Sequence, residues 1–472
     1  MKKKTQVRNS HFTRRQFLWA SAAISGSLAL SVIKRLLSRA APRDETNSYI
    51  PYIIKADITS TPTSTSTPTK TPPGATPTPS QLPTPTSTSQ PPGSLAGRVI
   101  HIRDANATNW VGSSPFYSNS AVDQSVVDAM IFEGLSLLTN QTSWGNIWQV
   151  LFERIQPGGY VPGQKIAIKV NFNNSGNDDN DCDSHNNLID ALPQPVISLL
   201  NGLVAAGVQP GDVIVFDATG SEYANSNPGR IIPDYFRNPI TTAFPGVGFI
   251  GYPACGVTAA SFGKDPSLTV SFNDPDNYLL DRKLADVLYD ATYLINIPIL
   301  KGHGGDDDIP VTLAFKNHLG SIDYVYAGPG PHDDLHEFIV LPQDQYRSDY
   351  NPLVDIYSNP NIHNKTILIL GDGLFGSTGA SSGPDRHWAI FDDDAANSLF
   401  FAVDPVAVDC VMADLIRAEG WFSDPRGYDF LFCAQEATLG LCEGTPANPG
   451  GDPLQLPYGS GYSSLEYTRK NL

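Results

Sequence analysis

Short Val- and Ile-rich runs alternate with longer runs of helical spacing between Arg98 and Gly420, and this alternation restricts the fold more than any other feature. "RVIHIRD" (Arg98–Asp104), "QKIAIKVNF" (Gln164–Phe172), "DVIVFDA" (Asp212–Ala218), "TYLINIPIL" (Thr292–Leu300) and "KTILILGD" (Lys365–Asp372) read as strands. Helices are expected at Ala121–Leu138, Pro193–Gly207, Pro310–Gly320 and Asp404–Gly420. Apolar strands separated by helices predict an α/β fold, a buried and mainly parallel sheet flanked by helices. Residues 221–290 follow neither pattern and read as an insertion or a small subdomain within a single large domain spanning 96–472.

The first 95 residues belong to other classes of sequence. Thr59 to Gly93 is almost entirely Thr, Ser and Pro, which cannot bury a core and favours an extended chain. Residues 44–95 therefore read as a disordered linker, either a spacer that holds the body off a surface or a connector with no tethering role. In residues 1–43, Arg14 and Arg15 precede a moderately apolar run from Phe17 to Ile33. That pattern predicts export by the twin-arginine route, with a retained signal-anchor as the alternative. The expected location is extracytoplasmic, with membrane contact only through this segment.

Charge is segregated in the same way. Ten of the 31 Lys/Arg and none of the 48 Asp/Glu lie in residues 1–43, which leaves 21 basic against 48 acidic groups in the remainder. A body this acidic repels nucleic acid and anionic membrane.

Ligands of open α/β sheets bind beyond the carboxyl ends of the strands. The scarce lysines of the body fall there. "IKVN" delivers Lys169 and Asn171, "ILKGH" delivers Lys301 and His303, "FKNHLG" delivers Lys316 and Asn317, and "LILGDG" delivers Asp372. Buried or half-buried lysines need partners, which a small anionic molecule would supply, with Asn171 and Asn317 as donors. The competing expectation is that each lysine pairs with a nearby aspartate to hold loops. His303 reads as a general acid/base or a metal ligand, with Asp372 as its partner or a second metal ligand.

The pattern admits a divalent metal elsewhere too. Asp179, Asp181, Asp183 and Asp190 carry part of an EF-hand spacing, but Ser184 stands where the turn glycine belongs. Asp306, Asp307 and Asp308 read as a solvated turn. His332 and His336 are four apart, but Pro329 and Pro331 oppose a helix there. The five cysteines contain no Cys-x-x-Cys, which argues against an iron–sulfur cluster, and a Cys433–Cys442 disulfide is compatible with the spacing. "GDGLFG" (Gly371–Gly376) matches a dinucleotide-binding string, but Gly, Ser and Pro follow where the helix should start.

"LINIPILKGH", "VTLAFKNHLG", "ILGDG", Gly383–Pro384 and "DPVAVD" (Asp404–Asp409), with the early Lys169-x-Asn171, resemble the domain-of-unknown-function family numbered 362. The resemblance implies an α/β domain with Lys301, His303, Lys316, Asn317, Asp372, Asp404 and Asp409 as signature positions, and no settled activity. Some relatives carry ferredoxin-like modules, for which this chain lacks the cysteines. Asp404, followed by Pro405, also reads as a helix N-cap. The leading expectation is an exported protein that binds a small anion at these residues and acts on it. The alternatives are a non-catalytic surface-binding module and a redox protein.

Overall fold

The computed structural model describes residues 95–472 apart from 113, 176–181, 183–186, 219–229, 305–310, 324–334, 340–344 and 456–458. The elements that build the site are β1 (Arg98–Arg103), α1 (Gln124–Thr139), α2 (Trp144–Glu153), β2 (Lys165–Lys169), α3 (Pro193–Ala205), β3 (Val213–Phe216), α4 (Asp234–Ala243), β4 (Gly248–Gly251) and β5 (Thr258–Ala259). They continue with β6 (Ala291–Asn296), β7 (Ile299–Gly302), β8 (Val311–Thr312), α5 (Ala314–Asn317), β9 (Thr366–Ser377), β10 (Ser398–Ala402), α6 (Pro405–Ala418) and β11 (Glu466–Asn471).

The strands form one eleven-stranded sheet in the order β11-β1-β10-β9-β6-β2-β3-β4-β5, with β7 running on beside β9 and β8 paired to β7. Pairing is parallel throughout except around β10 and between β7 and β8. Helices cover both faces, as near-continuous apolar strands require. Ile166, Ile168 and Val170 pack with α1, α2 and α3, whereas Ala167, Leu294 and Ile369 pack with α6 on the other face. The register sets Lys169 beside both Phe216 and Asn296, so β2, β3 and β6 end level with one another.

The α/β expectation holds, with local differences. "TYLINIPIL" is two strands, because Pro298 has no N–H to give a ladder; its carbonyl accepts from Asp372 N at 2.8 Å. The helix expected over Pro310–Gly320 is only one turn, α5, continued by a 3₁₀ turn at His318–Ser321. Val311 and Thr312 pair instead with Gly302 and Lys301, a use that suits β-branched residues. Part of 221–290 extends the main sheet, as β4 and β5 continue it beyond β3. Cys182 bonds to Cys255, and Cys433 and Cys442 are not joined. Cys442 lies buried with its Sγ 3.9 Å from that of Cys410, while the Cys433 thiol donates to Ser348 O.

The glycines of "GDGLFG" serve packing. A Cβ on Gly371 would lie 2.7 Å from Met412 Sδ. Gly376 has φ +74° and leaves room for the Trp388 ring, 2.4 Å from where its Cβ would be.

Candidate functional site

At the level edge of β2, β3 and β6 the backbone ends among polar side chains. Lys169 is fully buried, and its ammonium donates to Val170 O at 2.6 Å and Asn317 Oδ1 at 3.3 Å. Its third neighbour is Asp217 Oδ1 at 3.3 Å, and the other Asp217 oxygen accepts from Phe172 N. Burial lowers the Lys169 pKa, and Asp217 opposes that fall.

Asn171 links this pair to the next lysine. Its Nδ2 donates to Asn317 Oδ1 at 3.1 Å, and its Oδ1 accepts from Lys301 Nζ at 2.9 Å. Asn317 Nδ2 donates in turn to Asn296 Oδ1 at 2.7 Å, and Asn296 Nδ2 to Ala314 O at 3.0 Å. Lys301 is fully buried, like Lys169. Burial pulls its pKa down and pushes that of buried Asp190 up, while attraction between the two opposes both shifts. The four sequence-predicted residues Lys169, Asn171, Lys301 and Asn317 thus form one hydrogen-bonded chain.

His303 and Lys316 flank it. Burial pulls the His303 pKa down to about 2, helped by Lys316, His336 and Lys301, so the imidazole stays neutral at physiological pH. The neutral ring is an acceptor, a donor or a metal ligand. Arg230 adds a cation on the far side, where it donates to Asn173 Oδ1 and contributes to the field at Asp190 and Lys301.

Loop 377–384, which bears Gly383 and Pro384, is pinned across this edge. Ser377 Oγ donates to Gly383 O at 3.0 Å, Asn173 and Asn174 donate to Ala380 O, and Ile189 N donates to Ser382 O. Asn174 N also donates to Asp190 Oδ1 at 2.9 Å, which orients the carboxyl beside Lys301.

Three predicted acids lie elsewhere. Asp372 alternates along β9 with Leu368, Leu370 and Leu374, which pack on the α1–α3 side, whereas Lys169 alternates with Ala167 on the α6 side. Its Oδ1 accepts from Leu374 N at 3.1 Å, and burial pushes its pKa up to about 6 against the pull of that hydrogen bond. Asp404 caps α6 through Val406 N and Ala407 N and also accepts from Gly97 N and Leu441 N. Asp409 accepts from Ala314 N at 2.8 Å and Phe315 N at 3.1 Å and so fixes the turn that carries Lys316 and Asn317. Both acids thus hold backbone N–H groups. Asp404→Ala strands four backbone donors, and we expect it to lower the unfolding free energy by about 2–4 kcal/mol in urea titrations.

Sequence reading missed Asp190 as the partner of Lys301, Asp217 and Asn173. Asp217 did carry a signal, an acid directly after the strand "VIVF". Asp179, Asp181, Asp183, Asp306, Asp307, Asp308 and His332 lie outside the described residues. Among the described residues, one trio of metal-type ligands is close together, Cys182, Asp234 and Cys255, but its sulfurs are joined as a disulfide. A cleft lined by Arg154, His363, Thr366 and Pro405 opens at the start of β9 and contains none of the predicted residues.

A family model described as "Domain of unknown function (DUF362)" matches residues 166–414, a span that runs from β2 into α6. The chain belongs to the DUF362 family. The match contains every residue of the hydrogen-bonded chain, together with His303, Lys316, Asp190, Asp217 and Asp409. β1 and β11 lie outside the DUF362 match and complete the sheet at its far edge. The comparison with curated proteins finds no match.

Proposed function

We propose that the chain binds a small anionic molecule at the carboxyl edge of β2, β3 and β6 and carries out chemistry on it. The observation that carries this reading is convergence. Lys169, Asn171, Lys301 and Asn317, which span 148 residues, share one hydrogen-bonded chain, with His303 and Lys316 beside it. Lys169 sits with Asp217 and Lys301 with Asp190, and the positive charges of Lys316 and Arg230 beside them add attraction for an anion in an otherwise acidic body. Lys301 and Asp190 are the proton-transfer pair, because burial drives both toward neutral forms and one proton can sit on either. Asp409 and Asp404 act as positioning residues. A divalent metal at His303 is part of the same proposal.

The test is calorimetric titration of the full chain with a panel of small carboxylates and phosphate esters, repeated on Lys316→Ala. One anion class should bind, and the variant should bind it at least about tenfold more weakly, as loss of a charged hydrogen bond implies. Equal binding by the variant, or binding of neutral analogues alone, removes the proposal. Recovery of the bound molecule chemically unchanged after long incubation favours the second reading, a non-catalytic surface module, which the Thr/Pro-rich linker supports. Export by the twin-arginine route belongs to both readings. Its supports are Arg14–Arg15 ahead of the apolar run and the Cys182–Cys255 disulfide, which suits an oxidising compartment.

A further inference from the structure

We propose that the cleft at the start of β9 is a second binding site, for a small organic carboxylate whose head meets Arg154 and His363 and whose body lies on Ile155, Val403 and Pro405. β9 runs parallel to β6, so its start faces away from the carboxyl edge. The cleft holds about 300 Å³, at the lower end of the range of small-molecule sites and room for about ten water-sized groups. None of the residues that line it is acidic, in a chain with 48 acidic and 31 basic residues.

Arg154 directly follows α2 and keeps an exposed surface. Among the described residues its guanidinium makes no hydrogen bond and no ion pair. Nearby protein strips enough water from it to lower its pKa, and Asp404 opposes that fall. The Asp404 carboxylate is already committed. Its Oδ1 accepts from Val406 N and Ala407 N, and its Oδ2 accepts from Gly97 N and Leu441 N, which fills its roughly four acceptor positions. The guanidinium fork therefore lacks the planar oxyanion that suits it. His363 and Asn364 line the same cleft, and their side chains likewise make no hydrogen bond among the described residues. The His363 ring stands edge-on to Tyr357, with centroids 6.3 Å apart. Burial and Arg154 lower its pKa, which leaves a neutral ring with one N–H to donate. One permanent cation with two neutral donors matches one carboxylate. The apolar wall favours an organic anion over a bare inorganic one.

The experiment is calorimetric titration of the full chain with acetate, isobutyrate and benzoate, and with benzamide as the neutral counterpart. Affinity should rise at least about fivefold from acetate to benzoate as apolar surface is buried. Benzamide should bind at least about tenfold more weakly than benzoate. Arg154→Ala should lose at least about tenfold in benzoate affinity, and Arg154→Lys, which keeps the charge without the fork, should retain only part of it. Arg154 leaves no partner stranded, so both variants should melt within about 2 °C of the parent. Unchanged benzoate affinity in Arg154→Ala overturns the site, as does equal binding of benzamide. Absence of binding by all three carboxylates at about 10 mM overturns it too. If benzoate binding survives in Arg154→Ala and is lost in Lys316→Ala, the carboxylate has gone to the carboxyl edge: the second site falls and the proposed function stands.

Discussion

Replacing Lys169 by methionine should lower the unfolding free energy by about 3–5 kcal/mol, because it leaves Asp217 as a buried, uncompensated charge. The ammonium also satisfies Val170 O and Asn317 Oδ1, so the damage reaches the amide chain that carries Asn171 and Lys301. Urea unfolding measures the loss directly. The double variant Lys169→Met with Asp217→Leu should regain much of it, since a buried pair replaced by apolar groups of similar size is often close to neutral. It will not regain all, because Phe172 N loses its acceptor. A loss below about 1 kcal/mol for the single variant would mean that water reaches the pair, and the closed floor of the proposed site would fall with it.

Asp372→Asn should act in the opposite direction. The unfolded chain releases this proton near pH 4, while the buried group holds it up to about pH 6. Below pH 4 both states are protonated and the full stability is present. As pH rises from 4 to 6 the folded state keeps a proton that the unfolded state has given up, so stability falls by about 1.4 kcal/mol per pH unit. The asparagine keeps the acceptor for Leu374 N and does not ionise. At pH 7 the variant should therefore exceed the parent by about 2–3 kcal/mol, and near pH 3 the two should agree. Urea unfolding at both pH values checks the sign. A stabilised variant that also loses ligand binding would return Asp372 to the functional set, since stability is commonly sacrificed at working residues. A stabilised variant that binds normally assigns it to the fold.

What could be read from the chain alone follows from the range of each signal. Strand and helix order is written in local periodicity, and the Asp404 cap in a local pair of residues, Asp404 and Pro405. The lysines were legible as a set because Lys169 and Lys301 sit at strand ends and Lys316 in the turn that follows β8. Their partners were not, because Lys169 meets Asp217 and Lys301 meets Asp190 only after the strands align. The same limit hid the face of Asp372, which depends on the phase of β9 against its neighbours. "WGNIWQVLFE" in α2 carried helical spacing and was passed over, although Ile147, Trp148, Leu151 and Phe152 form its buried stripe. "SLFFA" in β10 is an apolar run too short to tell strand from buried helix.

The place of β1 has a consequence for how the body comes to exist. Both of its neighbours arrive late, β10 from 398–402 and β11 from 466–471. At about 5–20 residues per second, a nascent chain would carry its first strand without a mate for tens of seconds. That strand, "RVIHIR", carries the core residues Val99, Ile100 and Ile102 and is ready to pair with any edge it meets. Completion of the sheet therefore falls after synthesis of residue 466, and truncation anywhere before β11 leaves an adhesive edge. Loss of the last few residues, far from every polar group of the proposed site, should show itself as aggregation before it shows itself as lost binding.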